Sequence, residues 1–304
     1  MANEFTWTAK KGDVGVAEII SREIHENLYD GTYVWSLATM RADLSGTGAQ
    51  QVQLAKLTRG QAMAAANTNE TTAIANTAVT SGNYTIAIAV QELAYAMTDL
   101  ARVLQPGGWD VPLLVGMLLE AAQLRRNTLF CTLADSASTV KGTTGTVLDV
   151  DAVYEAQYAA TIANVPAAGG DLILKPKALT QFQESLRAEG GAIQYTPQMG
   201  ALLATKGQGI AGTWNGMQVW SVPSVIDDST DFSNMLHFAG ATAYAEGDLS
   251  SLNGDGAVDV PAGSSVRVEL DRTATTAISA VIGRDLCGFS EQEDARYVKI
   301  LSAV

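Results

Sequence analysis

Residues 171–176 read Asp-Leu-Ile-Leu-Lys-Pro, and this short stretch decides how the rest of the chain is interpreted. Its apolar run predicts a buried strand. Pro176 suits the first turn of a helix, where the N–H that proline lacks would have no partner. The apolar side chains of that helix recur at three- and four-residue steps, at Leu179, Phe182 and Leu186. A strand that runs directly into a helix is typical of an α/β domain.

The α/β domain is predicted to extend in both directions from this stretch, over residues 148–252. A helix is predicted at 151–163 before it, and apolar strands at 217–222 and 237–245 after it. Pro223 ends the first of these strands, because proline cannot donate to the hydrogen-bond ladder of a sheet. The region therefore predicts one compact unit of strands and helices.

Two helices are predicted before this domain. The first covers 91–104, with apolar residues at helical steps, and is ended by Pro106. The second covers 110–133, begins after the capping residue Asp110 and tolerates Pro112 in its first turn. At 1.5 Å per residue the second helix would be about 35 Å long, which predicts an elongated molecule.

An extended β-loop is predicted at about 44–90. Residues 51–58 and 84–90 alternate between apolar and polar side chains, which is typical of half-buried strands. The connection 59–83 is rich in Ala, Thr and Asn, and it is longer than connections inside compact domains usually are. Because an isolated two-stranded hairpin is barely stable in water, we expect the loop to lie on another subunit.

Residues 1–32 form an N-terminal arm in this interpretation. An amphipathic helix is predicted between Asp13, which can cap its start, and Gly31, which can end it. Its apolar stripe consists of Val16, Ile19, Ile20, Ile24 and Leu28. The pattern does not decide whether this stripe is covered by the chain's own domain or by a neighbouring subunit.

The end of the chain is predicted to return to the long helix over residues 253–304. It contains an alternating stretch at 266–270, an apolar stretch at 276–282 and a last strand at 297–301. Together with residues 33–147 it would form a second, discontinuous domain into which the α/β domain is inserted.

The composition narrows the classes of function. The chain has 304 residues, of which 47% are hydrophobic and 17% are charged, and its net charge is -13. This acidic excess argues against a dedicated nucleic-acid reader, but it suits a container that encloses DNA without gripping it. The sequence shows no signal peptide and no apolar run long enough for a membrane span, so we expect no membrane partner. Cys131 and Cys287 are predicted to be buried hydrophobes in a protein that folds in a reducing cytoplasm.

Motifs of enzyme chemistry occur only in contexts that do not support them. Residues 207–212 match a GxGxxG motif, but a strand follows where a dinucleotide site needs a helix. Residues 251–262 fit a calcium loop only in part, because Ala262 stands where a bidentate carboxylate is needed. His25 and His237 are isolated, so we expect no catalytic residue, cofactor or metal site. The clustered carboxylates are expected in solvated turns: Asp227, Asp228, Glu291, Glu293 and Asp294.

The order of these elements resembles the major capsid proteins of tailed bacteriophages, whose Hong Kong phage capsid fold encapsulins share. Four segments resemble segments of that family: 171–176 with the helix after it, 209–223 with its glycines, strand and proline, the later strand 237–241, and the closing segment 289–301. The resemblance implies an α+β fold, the phage major-capsid fold, that begins with an N-terminal arm (1–32). A peripheral domain (33–147) follows, which carries an extended β-hairpin loop (about 44–90) and a long spine helix (about 110–133). An axial α/β domain (148–252) is inserted next, and the chain then returns to the peripheral domain (253–304).

The resemblance also implies a structural protein rather than an enzyme. Copies of the chain would form pentamers and hexamers of an icosahedral-type shell, which encloses the phage's double-stranded DNA with non-specific contacts. The shell would be part of a virion assembled in the host cytoplasm. Because the sequence begins directly with the arm, either a separate scaffolding protein is expected or the chain begins after a cleavage site; a portal and a decoration protein are further expected partners. Two alternatives stay open, an encapsulin-like compartment with an enzyme cargo and a soluble enzyme.

The predicted contacts between subunits lie on the arm and the β-loop: Val16, Ile20, Ile24, Val52, Leu54, Lys56, Arg59, Ile86 and Ile88. The alternative for these residues is that they face the core of their own subunit. Some members of the family crosslink a loop lysine to a neighbour's asparagine. Lys56 is the only lysine of this loop, but we do not predict that crosslink.

Overall fold

The structure is a computed structural model, and it describes residues 34–44, 49–57, 81–98, 111–163, 165, 169–188, 195–197, 210–247, 266–273 and 278–304. The strands in these residues are β1 (Thr39–Asp43), β2 (Gln51–Leu57), β3 (Ser81–Ala87), β4 (Ala89–Thr98), β5 (Val140–Lys141), β6 (Asp171–Leu174), β7 (Tyr195–Pro197), β8 (Ile210–Trp214), β9 (Met217–Ser221), β10 (Asp231–His237), β11 (Thr242–Glu246), β12 (Val266–Thr273), β13 (Ile278–Glu291) and β14 (Tyr297–Ala303). The α-helices are α1 (Val111–Thr132), α2 (Val150–Ile162) and α3 (Pro176–Ala188). The fold is therefore α+β, with strands predominating, as predicted.

Seven strands form one sheet, in the order β5-β14-β10-β6-β9-β8-β7. The central strand β10 is buried over its whole length, between β14 and β6. Helix α2 packs on β14 and β5, and α3 packs on β6. The large core of the chain lies here, and the fully buried Phe182, Trp214 and Tyr297 belong to it.

The stretch Asp-Leu-Ile-Leu-Lys-Pro has the structure that the sequence predicts. Leu172, Ile173 and Leu174 are fully buried in β6, and α3 begins at Pro176. The Lys175 side chain lies over the neighbouring loop, where its Nζ donates to the backbone carbonyls of Pro223 (2.6 Å) and Val225 (2.9 Å). These contacts hold the strand-to-helix turn against the end of β9.

Five strands form a second sheet, in which β13 is the longest strand. The order is β1-β11-β13-β12, and β4 pairs with β13 as well. Helix α1 lies across β13. A Cβ on Gly283 would lie 3.1 Å from Leu118, so the glycine allows helix and strand to approach closely at this point.

The predicted helix at 91–104 is wrong over the described residues. Residues 89–98 form β4, which pairs with β13 from Ala89↔Cys287 to Thr98↔Ile278. Leu93 and Met97 are four residues apart, a spacing that places two side chains on one face of a strand as well as of a helix. The apolar spacing was therefore ambiguous, and the ten hydrogen-bonded positions on β13 decide for the strand.

The last strand also differs from its expectation. β14 pairs with β10 over seven residues in the seven-stranded sheet, rather than with the sheet that carries α1. β12 and β13 do return to α1, as expected. Period-two alternation predicts that a strand exists but does not specify its neighbour, which explains the difference. The division of the chain into axial and peripheral domains stays a prediction.

Candidate assembly surfaces

The predicted β-loop contains an antiparallel strand pair at its base. β2 pairs with β3 from Gln51↔Ala87 to Leu57↔Ser81, so the strand predicted at 51–58 is confirmed. The segment predicted at 84–90 continues past the end of β3, and its last residue, Val90, lies in β4 and is 48% exposed. The connection 59–83 lies outside the described residues except for its last three positions. The base of the loop is therefore a regular hairpin ladder.

One face of this hairpin packs on the body of the same chain. Ile86 is fully buried against Ala243 and Ala245 of β11. Val52, Leu54 and Ile88 are partly buried around it. Ile86 was predicted either to contact another subunit or to face the core of its own subunit. Because its side chain has no exposed surface, it faces the core of its own subunit.

The same face becomes exposed toward the tip of the loop. Val52, Leu54 and Lys56 follow one another on this face, since side chains alternate along a strand. The first two are partly covered, whereas Lys56 is exposed and lies opposite Gly82. Within the described residues, the cover that the body of the chain gives this face therefore ends at about Lys56.

Four of the predicted contact residues lie outside the described residues: Val16, Ile20, Ile24 and Arg59. The described chain begins immediately after the arm, and its first turn is tightly held. The Trp35 indole Nε1 donates to Gln123 Oε1 (2.7 Å), and the Trp35 backbone N–H donates to Asn127 Oδ1 (3.2 Å). The Trp35 ring also packs edge-on against Tyr244, with 5.6 Å between centroids. The root of the arm is therefore fixed to helix α1.

A buried ion pair joins helix α1 to the five-stranded sheet. Arg126 donates to both carboxylate oxygens of Asp285, at 2.8 Å and 2.7 Å. Glu246 lies 3.5 Å from the same guanidinium, and the guanidinium carbon lies 4.9 Å from the centre of the Trp35 ring. The arrangement links α1, β11, β13 and the root of the arm at one point.

The carboxylate of Asp285 favours the charged form of Arg126. Burial opposes the charge of Arg126, but the hydrogen bonds and the negative charge of Asp285 outweigh it and raise the pKa of the guanidinium. Burial, followed by the charge of Asp285, raises the pKa of the neighbouring Cys287 thiol to about 12. A thiol with such a pKa is an unreactive core residue.

The groups that sequence analysis considered for enzyme chemistry are structural in the described residues. Cys131 and Cys287 are buried and unbonded to each other, as predicted. His237 is buried, its Nε2 lies 3.0 Å from Thr242 Oγ1, and burial lowers its pKa to about 4. The carboxylate of Asp228 accepts from the backbone N–H of Thr230 and Asp231, as in a capped turn.

The described part of the chain contains neither a candidate metal site nor a candidate membrane-spanning helix. No group of three or more His, Cys, Asp or Glu side chains there is placed to hold a metal ion. None of the helices described is long and apolar enough to cross a membrane. The strand predicted after the glycine-rich segment is β9, and residues 210–214, for which no strand was predicted, form β8.

The sequence analysis did not predict two contacts of helix α1, one with strand β13 and one with the residues that follow the arm. Arg126 and Asp285 are 159 positions apart in the chain, and Trp35 and Gln123 are 88 apart. The signal that was available is the pair Arg125 and Arg126 on a largely apolar helix, since an arginine that is buried there needs a carboxylate partner.

Comparisons with known proteins give matches among solved structures only. No family model and no curated protein matches the chain. A structure of Mycobacterium phage Che8 is 14% identical with a TM-score of 0.61, and the match covers 88% of this chain and 91% of that one. The capsid of a native GTA particle is 13% identical with a TM-score of 0.62, over 91% and 92% of the two chains. The SrpI encapsulin of Synechococcus elongatus PCC 7942 is 10% identical with a TM-score of 0.59, over 99% and 92%.

These likenesses extend over nearly the whole of each chain, so they concern the complete architecture rather than one domain of it. The element order agrees with the resemblance found in the sequence: a hairpin loop, a long helix, an α/β sheet and a return to the first sheet. The chain therefore has the fold of phage major capsid proteins, which encapsulins share.

Proposed function

We propose that this chain is the major capsid protein of a tailed bacteriophage, which assembles with copies of itself into a closed shell around double-stranded DNA. The observation that carries the proposal is the match to capsid structures over about nine-tenths of both chains. The function is geometric in this proposal, and no catalytic step is part of it.

The described surfaces support a mechanism in which each chain overlaps its neighbours. Ile86 anchors the hairpin β2–β3 to β11, whereas Lys56, further along the same face, is exposed and could contact a neighbouring copy. The arm starts from a root that Trp35 fixes to α1. Contacts of this kind can each be weak, because a closed shell engages many of them at once.

The net charge fits a container for DNA. With a charge of -13, the chain has no excess of basic residues with which to neutralise phosphates. We propose that the packaged DNA is contacted non-specifically and that a separate scaffolding protein and a portal direct assembly. Val52, Leu54, Lys56 and Ile88, with the arm residues Val16, Ile20 and Ile24 and with Arg59, remain the proposed inter-subunit contacts.

Negative-stain electron microscopy of the purified chain, with its mass measured by light scattering, tests the proposal. Uniform hollow particles are expected, either from the chain alone or after co-expression with a phage-type scaffolding protein. A small oligomer that persists in both preparations would contradict the proposal.

An encapsulin-like compartment is a second candidate function, and one observation favours it. The encapsulin match covers 99% of this chain, more than the phage matches do. The contents of purified particles distinguish the two functions. Nuclease-protected DNA of defined length supports the phage capsid, whereas a single co-purifying enzyme inside particles without DNA supports the compartment.

A further inference from the structure

Strand β11 has the root of the arm on one face and the base of the β-loop on the other. Side chains alternate between the two faces of a strand. The Tyr244 ring points to one face, where it packs edge-on against Trp35, with 5.6 Å between ring centroids. Ala243 and Ala245 point to the other face, where both are fully buried in one cluster with Ile86. The residues that follow the arm and the base of the β-loop therefore attach to the same short strand.

Strand β1 joins the same two segments along the chain. Trp35 belongs to a 3-10 turn, Val34–Leu37, which we call the arm root, and only Ala38 separates this turn from β1. β1 pairs in parallel with β11, and its Ala42 packs against the cluster around Ile86. The next strand along the described chain is β2, the first strand of the hairpin. The arm root and the hairpin are thus connected both through the chain and through β11.

The contacts of the arm root are specific enough to transmit a displacement. The indole Nε1 of Trp35 donates to Gln123 Oε1 on α1 at 2.7 Å. The guanidinium carbon of Arg126 lies 4.9 Å from the centre of the Trp35 ring, and the guanidinium is also 3.5 Å from Glu246 at the end of β11. A shift of the Trp35 ring would therefore disturb β11 at two points, its packing on Tyr244 and the charge contact at Glu246.

We propose that β1 and β11 form a mechanical link, through which the hold on the arm root sets how tightly the base of the β-loop is held. We call it the β1–β11 link. Coupling between two sites is reciprocal, so loosening either end should loosen the other. A partner that binds the arm would then change the hold on the β-loop. The inference goes beyond the proposed function, because it concerns one chain and needs no neighbouring copy.

Hydrogen exchange of the unassembled full chain tests the link with two matched glutamine variants. Gln123→Ala on α1 removes the acceptor of the Trp35 indole at 2.7 Å, and Gln157→Ala on α2 removes the acceptor of Asn215 Nδ2 at 3.0 Å. Gln123→Ala should lower the protection of the paired amides of β2 and β3 at least about threefold, since one hydrogen bond changes a local opening equilibrium by about that much. Gln157→Ala should leave the protection of these amides unchanged. Trp35→Phe removes the same bond from its donor side and should repeat the effect of Gln123→Ala.

The reverse direction is tested from the other face of β11. Ile86→Val shortens the buried side chain, and it should speed the exchange of the Trp35 indole N–H with solvent, followed by nuclear magnetic resonance. A chain with both Gln123→Ala and Ile86→Val completes a double-mutant cycle. If both substitutions act through one link, protection of β2 and β3 should fall by less than the product of the two single changes.

Three results would overturn the inference. They are unchanged protection of β2 and β3 in both Gln123→Ala and Trp35→Phe, an equal loss of protection in Gln157→Ala, and a double variant that shows the full product of the single changes. Each measurement is made on the unassembled chain, so the absence of particles would overturn the proposed function without deciding this inference.

Discussion

The ion pair between Arg126 and Asp285 is expected to be a main support of helix α1, and Asp285→Ala tests this. The side chains of the pair are only 5% and 3% exposed, and the substitution would remove both short hydrogen bonds of the guanidinium. Glu246, 3.5 Å from the guanidinium, is a second acidic partner among the described residues and would stay in place. Breaking a buried pair by removing one partner costs about 3–5 kcal/mol, because the other charge stays buried.

The neighbouring residue on β13 offers a matched control. Arg284 forms an ion pair of similar length with Glu92, at 2.8 Å, but the side chains of that pair are 31% and 58% exposed. Glu92→Ala should therefore cost less than about 1 kcal/mol. Both variants change one carboxylate that faces an arginine, so the difference between them measures the effect of burial.

Urea unfolding of the unassembled chain, followed by circular dichroism, measures both variants. With a slope of about 3 kcal/mol per M, the loss predicted for Asp285→Ala lowers the midpoint by about 1–1.7 M, whereas Glu92→Ala lowers it by less than about 0.3 M. Equal midpoints for the two variants would refute the reasoning, because burial of the pair would then contribute nothing.

Three further predictions concern the core and the close approaches. Burial lowers the pKa of His237 to about 4 from an ordinary value of 6.5, so the unfolded chain takes up a proton first as the pH falls. The free energy of unfolding should therefore fall by up to about 3 kcal/mol between about pH 6.5 and pH 4. His237→Gln should flatten this part of the plot of unfolding free energy against pH. An unchanged slope would contradict the assignment of this pH dependence to His237. Ile86→Ala should cost about 2–5 kcal/mol and loosen the base of the β-loop. Hydrogen exchange of β2 and β3 measures the loosening, and unchanged protection would show that Ile86 is not the anchor. A Cβ on Gly288 would lie 2.0 Å from the Ala87 carbonyl oxygen, so Gly288→Ala should push the junction of β3 and β4 away from β13 and reduce soluble expression. Gly116→Ala, which has open space and no positive φ, should be milder. Equal yields would contradict the close approach.

Local patterns in the sequence predicted those elements whose apolar spacing fits a single secondary structure. The strand before Pro176, helix α3 and helix α1 were all placed within a few residues, because caps, proline and long periodic stretches act locally. The hairpin of the β-loop followed from its period-two alternation.

Contacts between distant segments could not be predicted in the same way. Residues 89–98 form a strand because β13 pairs with them, and nothing near Leu93 or Met97 in the sequence specifies β13 as a neighbour. The same reason explains the position of β14, because its partner β10 ends 60 positions before β14 begins. The order of elements still identified the fold, since that order does not depend on which strands pair.

The candidate contact surfaces were predictable only in part. Alternation selected Val52, Leu54, Ile86 and Ile88 correctly as one face of a hairpin, but not what covers that face.

Electron cryomicroscopy of the purified particles tests the central claim most directly, because it shows the assembly and the chain together. The account predicts closed shells with local rings of five and six subunits, into which the two sheets and helix α1 fit with each β2–β3 hairpin extending onto a neighbouring subunit. Discrete small oligomers, or particles whose subunits do not contain the two sheets in this arrangement, would contradict it.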